Sequence, residues 1–377
     1  MPTSSPTPSL PPSPSPTPSP SAVAALAWAD SLPGPGATLI GSVRNGGDPM
    51  PLLASLVLAL MLAFLAPFPF TFLNKTVEAN HETIQAWTAG AKHRWNSFLR
   101  VLTPGAIGTA RHGTSMALQG TPGVAIFLVI SAFVYGFLSP SFGVNAESLP
   151  SFLGILIGLV AITIAFDLPL RIVRKRVTGD GGRLKALWWT LSVAVICVVV
   201  SRLATFMPGY LYGLVITTVF VAAIAERTEG RGTFLAGLWL LALSFGCWFL
   251  LEAVRGGAIT DGPLSILIQT ALVTFIVAGI EAVVIGLLPL HFLPGYALFH
   301  WSRLAWLPVF ALGVLAYLVI LVNPVNGYVF TSANGPMILA IGFFVIFGAI
   351  SVLTWALFHF FGHKPEEEPS DHARADP

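Results

Sequence analysis

Long apolar runs dominate this chain and restrict what it can fold into. Most are about 20 residues long, the length that an α-helix needs to cross the hydrocarbon core of a bilayer. Of the 377 residues, 55% are apolar and only 10% are charged, and the mean hydropathy is +0.79. A soluble domain carries charge on about a quarter of its residues, so this composition excludes a water-facing surface. We therefore predict an all-α, polytopic integral membrane protein with about nine transmembrane helices.

The predicted spans follow one another with short polar connections. The least distinct pair is 186–204 and 209–225, because only Phe206–Gly209 separates the two runs. These runs form either a tight hairpin or one broken helix. The nine predicted spans are 51–70, 123–139, 151–170, 186–204, 209–225, 233–252, 264–288, 305–322 and 336–360.

Two terminal segments flank the predicted membrane domain, which covers residues 51–360. Residues 1–50 begin with an almost pure Ser/Thr/Pro tract, a composition that cannot bury a core and stays extended. We predict a disordered extracellular stalk or linker there, and we hypothesise that the natural product carries a longer N-terminal ectodomain. Residues 361–377 include a run of three glutamates and are predicted to form an acidic, disordered cytoplasmic tail.

One polar connection has helical periodicity. Between about residues 78 and 102, apolar side chains recur at steps of three and four, with Trp87 and Trp95 among them and basic residues elsewhere. This pattern predicts an amphipathic helix on the cytoplasmic side. Two placements stay open, in the lipid headgroup region or against the cytoplasmic ends of the spans.

The distribution of lysine and arginine predicts the orientation. With the N-terminus outside and nine spans, sixteen of the nineteen Lys and Arg residues fall on the cytoplasmic side, all except Arg44, Arg202 and Arg255. This is the asymmetry that the positive-inside rule requires. The net charge is only +2, so we predict no nucleic-acid partner. The expected partners are the lipid bilayer and either a membrane or envelope protein or a second copy of the chain.

Four ionisable side chains lie within or at the ends of predicted spans. Burying such a group costs at least about 2–3 kcal/mol, so each is a candidate site by default. Glu281 lies deep in the seventh span, and Asp167 lies near the cytoplasmic end of the third. Asp167 has Arg171 one helical turn on, which allows an ion pair unless Pro169 disturbs the turn. Arg202 and Glu252, near the outer boundary, either snorkel to the interface or pair with each other.

The chain lacks the common signatures of catalysis. Its sequence contains no His-Glu-x-x-His zinc motif, no phosphate-binding loop, no Gly-x-Ser-x-Gly and no dinucleotide fingerprint. Cys197 and Cys247 each lie inside an apolar run, where small buried side chains are the simplest interpretation. We therefore predict no enzyme activity, no cofactor and no metal. Gly154 and Gly158 form a Gly-x-x-x-Gly step, whose simplest use is close helix packing within the protein.

A Gly/Pro-rich stretch, Gly286–Tyr296, follows the seventh span and carries a resemblance to a known family. Together with Phe68–Asn80, it resembles the FGLLP motif-containing membrane proteins of actinobacteria, with Ile285 in place of the first Phe. The resemblance covers residues 51–360 and implies a polytopic bacterial plasma-membrane domain, sometimes preceded by an exported region. It implies no activity and transfers no catalytic residue. The motif positions are Gly286, Leu287, Leu288, Pro289, Pro294 and Gly295.

Two function classes remain open from the sequence. One is a non-enzymatic envelope scaffold or anchor, indicated by the Ser/Thr/Pro stalk, the scarcity of charge in the spans and the lack of catalytic signatures. The other is a transporter or channel-like permease with Glu281 as an in-membrane site. A polar, water-accessible cavity that reaches Glu281 would favour transport, whereas a dry packed core around Glu281 would favour the scaffold.

Overall fold

A computed structural model gives the fold. It describes residues 32–36, 38, 50–80, 121–139, 142–143, 145–179, 183–186, 188, 190–203, 216–219, 226–259, 262–291, 293–322 and 335–361. Most of the predicted stalk, the predicted interfacial helix beyond residue 80 and the predicted tail beyond residue 361 lie outside these residues.

The described chain is helical, with one short two-stranded ribbon. A 3₁₀ turn, Ala146–Ser148, precedes α4, and π turns extend α6 over Val254–Ala258 and α9 over Tyr317–Val322. The elements are α1 (Met50–Leu65), α2 (Pro67–Ala79), α3 (Thr121–Gly136), α4 (Leu149–Thr178), β1 (Arg183–Ala186), α5 (Thr190–Leu203), β2 (Ile216–Val219), α6 (Glu226–Ala253), α7 (Pro263–Gly286), α8 (Pro294–Trp301), α9 (Arg303–Ala316) and α10 (Gly335–Phe361).

Five helical stretches within the described residues are long and apolar enough to cross a membrane. They are Leu52–Ala79, Leu149–Thr178, Arg227–Ala258, Pro263–Gly286 and Arg303–Val322, and three shorter apolar helices accompany them. Phe64, Phe68 and Leu203 expose 79%, 77% and 81% of their surface, as expected for side chains that face lipid rather than water. The expectation of long apolar helices is confirmed, whereas the count of nine spans is not.

The predicted span 209–225 is wrong as a continuous helix, because Ile216–Val219 forms strand β2. All four of its residues are β-branched, and such side chains lose less rotamer freedom in a strand than in a helix. β2 pairs antiparallel with β1, with Arg183 opposite Val219 and Ala186 opposite Ile216. By residue 216 the chain has therefore returned to the level of β1, which directly precedes α5. The ribbon is also a departure from a purely α-helical fold.

The prolines after the first apolar run form a helix junction rather than an end. Pro67 occupies the first turn of α2, where its missing N–H has no intrahelical partner to lose. The N–H of Ala66 still donates to the carbonyl of Leu62, so α1 runs into α2 with only a short break. The helical stretch therefore continues to Ala79, beyond the predicted end near residue 70.

Close packing against α4 and α6 encloses α7. A Cβ at Gly154 would overlap Thr270 and the carbonyl of Leu267, and a Cβ at Gly158 would overlap Thr274 and the carbonyl of Ala271. The contacts advance together along both chains, so α4 and α7 run parallel. The Gly-x-x-x-Gly step thus serves internal packing, as predicted.

The segments rich in lysine and arginine meet at one end of the helix assembly. That end comprises the C-terminal ends of α2, α4, α7 and α10, the N-terminal ends of α6 and α9, and the whole of α8. Four contacts join these elements: Asn74 with Pro289, Phe72 with Trp355, Arg174 with Glu229, and Gly230 with Trp301. We call this the basic end, and the other end of α6 the opposite end.

We predict that Gly158→Ala destabilises the protein whereas Gly246→Ala does not. Both glycines lie inside helices, where alanine is intrinsically better by about 0.5–1 kcal/mol. A Cβ at Gly158 would overlap α7, whereas a Cβ at Gly246 has no heavy atom within 4 Å. Overpacking of this kind costs about 1–3 kcal/mol. Thermal unfolding of both variants in detergent checks the difference, and equal melting temperatures would contradict the assigned α4–α7 contact.

Candidate functional site

Glu281 lies in the packed interior of the protein. Its residue is 1% exposed, and its neighbours in sequence and along the helix, Ile280 and Val283, are also 1% exposed. Two residues earlier, Gly279 allows α6 to approach so closely that a Cβ there would overlap Ser244 Oγ. Cys197 of α5 lies within electrostatic range of the Glu281 carboxylate. The sequence therefore identified a carboxylate that its neighbours enclose.

Asp167 is buried on α4 and forms the predicted local ion pair. Its residue is 6% exposed, and Arg171 Nη2 lies 3.5 Å from Asp167 Oδ2. Pro169 lies between the two residues, but α4 continues through it to Thr178. The turn is therefore intact enough for the i, i+4 pair to form.

The two buried carboxylates lie at nearly the same depth. Ile162 of α4 is beside Gly279 of α7, and the two helices run parallel. Asp167 is five residues beyond Ile162, and Glu281 is two residues beyond Gly279. At about 1.5 Å per residue, the carboxylates differ by roughly 4–5 Å along the helix axes. Both are close to the basic end, where α4 and α7 finish.

Arg202 and Glu252 do not pair with each other. Among the described residues, the ion pairs are Asp167–Arg171 and Arg174–Glu229, and Arg202 is exposed at the end of α5. Glu252 Oε2 instead accepts a hydrogen bond from the backbone N–H of Gly36 at 3.3 Å. Glu252 lies near the C-terminal end of α6, and its neighbour is the N-terminal segment.

Residues 32–36 of the predicted stalk pack on the opposite end of α6. Trp248 Nε1 donates a hydrogen bond to the carbonyl of Pro33 at 2.7 Å, and Arg255 Nη1 donates to the carbonyl of Leu32 at 2.8 Å. Leu32 is 1% exposed and belongs to the same hydrophobic cluster as Trp248. We call this contact the N-terminal docking site. Sequence reasoning missed it, because a single Leu-Pro-Gly within a linker has no periodicity to indicate packing.

The motif stretch after α7 forms a turn that hydrogen bonds from side chains of α2 and α9 stabilise. Trp306 Nε1 of α9 donates to the carbonyl of Leu287 at 2.7 Å. Asn74 of α2 donates from Nδ2 to the carbonyl of Pro289 at 2.7 Å and accepts from the N–H of His291 at 3.2 Å. These bonds satisfy backbone groups that the end of α7 leaves open.

Gly295 is required where it lies. A Cβ at this position would overlap the backbone of Leu287, so only glycine lets the start of α8 return onto the end of α7. Pro294 occupies the first turn of α8. The motif thus ends α7 at Gly286 and redirects the chain into α8, as the Gly and Pro residues predicted.

The described residues contain no group of three or more His, Cys, Asp or Glu side chains that could hold a metal ion. His359, one of the two histidines at the end of the last span, stacks on Trp355 with ring centroids 4.9 Å apart. His363 lies outside the described residues.

Comparison with known proteins adds no family. No protein-family model, no curated protein and no solved structure matches this chain. The fold therefore defines the class, a helical membrane protein, and the function has to be argued from the sites above.

We predict that Trp306→Phe lowers stability by about 1–2 kcal/mol, because the buried Leu287 carbonyl loses its donor. Trp306 is 1% exposed, whereas Trp239 on α6 is 42% exposed and is the matched control. Thermal unfolding of Trp306→Phe and Trp239→Phe in detergent compares the two. A loss of the same size in both variants would show that the hydrogen bond is unimportant.

Proposed function

We propose that this protein is a non-enzymatic, multi-pass plasma-membrane anchor for the polypeptide at its N-terminus. The single observation that carries the proposal is the N-terminal docking site. Residues in the segment 32–36 contact α6 through three hydrogen bonds and one buried leucine. A flexible linker would need none of these contacts to connect a stalk with a membrane domain, whereas an anchor needs a fixed attachment point.

The location of the docking site supports an extracellular N-terminus. Arg174 meets Glu229 at the start of α6, so the basic end lies there, and Trp248 and Arg255 lie about 30–40 Å further along at 1.5 Å per residue. The basic end carries the Lys and Arg residues that the positive-inside rule assigns to the cytoplasm. In this orientation the docked segment and Arg202 lie outside, and the C-terminus lies in the cytoplasm.

The likeness to FGLLP motif-containing membrane proteins agrees with this arrangement and assigns no activity.

We expect Arg255→Ala to release the docked segment. In a Cys197→Ser, Cys247→Ser background, a cysteine in place of Leu32 should react slowly with a membrane-impermeant maleimide on intact cells, since this position is 1% exposed. Adding Arg255→Ala removes the donor to the Leu32 carbonyl and should raise the labelling rate by about tenfold or more, the equivalent of one lost hydrogen bond to a charged group.

Arg202→Ala is the matched control, because Arg202 is exposed at the same end and, among the described residues, makes no hydrogen bond to the docked segment. It should leave the labelling rate unchanged. A cysteine in place of Glu252 should label on intact cells, and one in place of Lys175 only after permeabilisation. Equal rates for Leu32→Cys with and without Arg255→Ala, or labelling of Lys175→Cys from outside, would refute the proposal.

A transporter is the second candidate, favoured by the two buried carboxylates at nearly one depth. Asp167 and Glu281 are 6% and 1% exposed, and ionisable groups inside a membrane domain often belong to proton or ion pathways. In this case Glu281 binds the coupling ion or proton, and Asp167 lies next along the route towards the basic end.

Glu281→Gln separates the two functions, because it removes the charge and keeps the shape. For an anchor we expect unchanged growth at normal expression. The free energy of unfolding should stay within about 1–2 kcal/mol of the wild-type value, the usual range for a single substitution. For a transporter we expect loss of uptake or of proton movement in vesicles. Asp167→Asn is the companion variant, and loss of transport in both would replace the anchor by a transporter.

A further inference from the structure

The surface around α8 at the basic end has an unusual composition for a helix connection. α8 is only eight residues long, yet exposed basic side chains flank it on both sides. His291 precedes it, His300 lies in its last turn and Arg303 follows it, and all three are exposed. Lys75 is exposed on α2, next to the Asn74 that holds the His291 backbone.

Aromatic rings organise these basic side chains into one surface. The Tyr296 ring lies between two imidazoles, with centroids 4.8 Å from His291 and 4.0 Å from His300. The Arg303 guanidinium lies over the Phe299 ring, with Cζ 5.1 Å from the centroid. Contacts with the Tyr296 ring, at interplanar angles of 53° and 35°, restrain the directions of the imidazole N–H donors, and the Phe299 ring restrains the guanidinium. This is the pre-organisation that an anion site needs.

An exposed apolar side chain directly follows Arg303. Leu304 follows Arg303 directly and is 86% exposed. An isolated exposed leucine needs no explanation, but here it lies at the foot of a membrane-crossing helix, Arg303–Val322. A ligand that contacts both Arg303 and Leu304 would therefore need an anionic headgroup and an apolar chain. Tyr and Trp rings beside such a site are typical of the membrane–water interface.

The nearest described carboxylates do not neutralise this surface. Asp167 and Glu229 at the basic end are in ion pairs with Arg171 and Arg174. Glu281 is 1% exposed, and Glu78 is exposed on α2, one turn after Lys75. Further cations, Arg227 and Arg231, stand at the start of α6, where Arg231 lies over Trp301 at 5.7 Å.

We propose that His291, Tyr296, His300 and Arg303 form a binding site for the headgroup of an anionic phospholipid, with its acyl chain along Leu304 and α9. The phosphate lies between Arg303 and the two imidazoles, and the Tyr296 hydroxyl contributes a further donor. The site holds the end of α7 and the start of α9 at a fixed depth in the leaflet on the basic side.

The test uses the full chain, purified in a zwitterionic detergent and titrated with acyl-chain-labelled phosphatidylglycerol. Wild type should bind phosphatidylglycerol about tenfold more tightly than phosphatidylcholine carrying the same label. Each Lys or Arg near a lipid surface contributes about a fivefold change in affinity, so Arg303→Gln should weaken phosphatidylglycerol binding about fivefold. His300→Gln combined with Arg303→Gln should remove the preference over phosphatidylcholine.

Arg303→Lys keeps the charge and should retain most of the affinity. Arg202→Gln changes an exposed arginine at the opposite end and should bind as wild type does. Melting temperature and gel-filtration profile are measured for each variant. If Arg303→Gln unfolds, the comparison is made with His300→Gln and with Arg303→Lys, both of which keep a positive charge at position 303.

Three results would overturn the proposal. The first is equal affinity for phosphatidylglycerol in wild type and in the folded variants. The second is competition by inorganic phosphate at the same concentration as the lipid, which would make this a site for free phosphate. The third is binding of a poly-glutamate peptide with no preference between the two lipids, which would make it a protein-binding surface.

Discussion

The close approach of α4 to α7 determines how the rest of the protein can be arranged. Lipid tails are as apolar as leucine, so helices in a membrane associate through tight packing and interhelical polar contacts rather than through hydrophobic burial. Gly154 and Gly158 supply that packing by removing the side chains that would separate the backbones. Gly279 does the same between α7 and α6. These three helices therefore form a rigid unit on which the other elements are positioned.

The motif turn transfers this rigidity to the basic end. The Trp306 indole and the Asn74 amide bind backbone groups of the turn, so α9 and α2 are tied to the end of α7 by groups that lipid cannot replace. Gly295 then allows α8 to fold back on Leu287. The motif has a structural role that accounts for its Gly and Pro residues without any catalytic step. It also fixes the ring cluster from which the lipid proposal is argued.

The sequence predicted what depends on local pattern and missed what depends on distant contact. α4, α6 and α7 follow from apolar length alone, and the Asp167–Arg171 pair follows from helical spacing. Ile216–Val219 was assigned to a helix because a short apolar run fits a helix or a strand equally well by periodicity. The N-terminal docking site joins residues more than 200 positions apart, and no local signal in Leu32 or Pro33 indicates it. The sequence placed Glu281 inside a predicted span. Its depth relative to Asp167 could not be predicted, because it depends on the parallel packing of α4 and α7.

The rigid unit also bears on the choice between anchor and transporter. Alternating access needs one group of helices to rock or slide against another, with the binding site at the boundary between the groups. Asp167 and Glu281 instead lie on α4 and α7, the two helices joined most closely by glycine contacts, and α6 closes over Gly279. Sliding either helix would move Thr270 and Thr274 away from Gly154 and Gly158 and against bulkier neighbours. Because α6 carries the docked segment at one end and the Arg174–Glu229 pair at the other, this packing supports the proposed anchor over the proposed transporter.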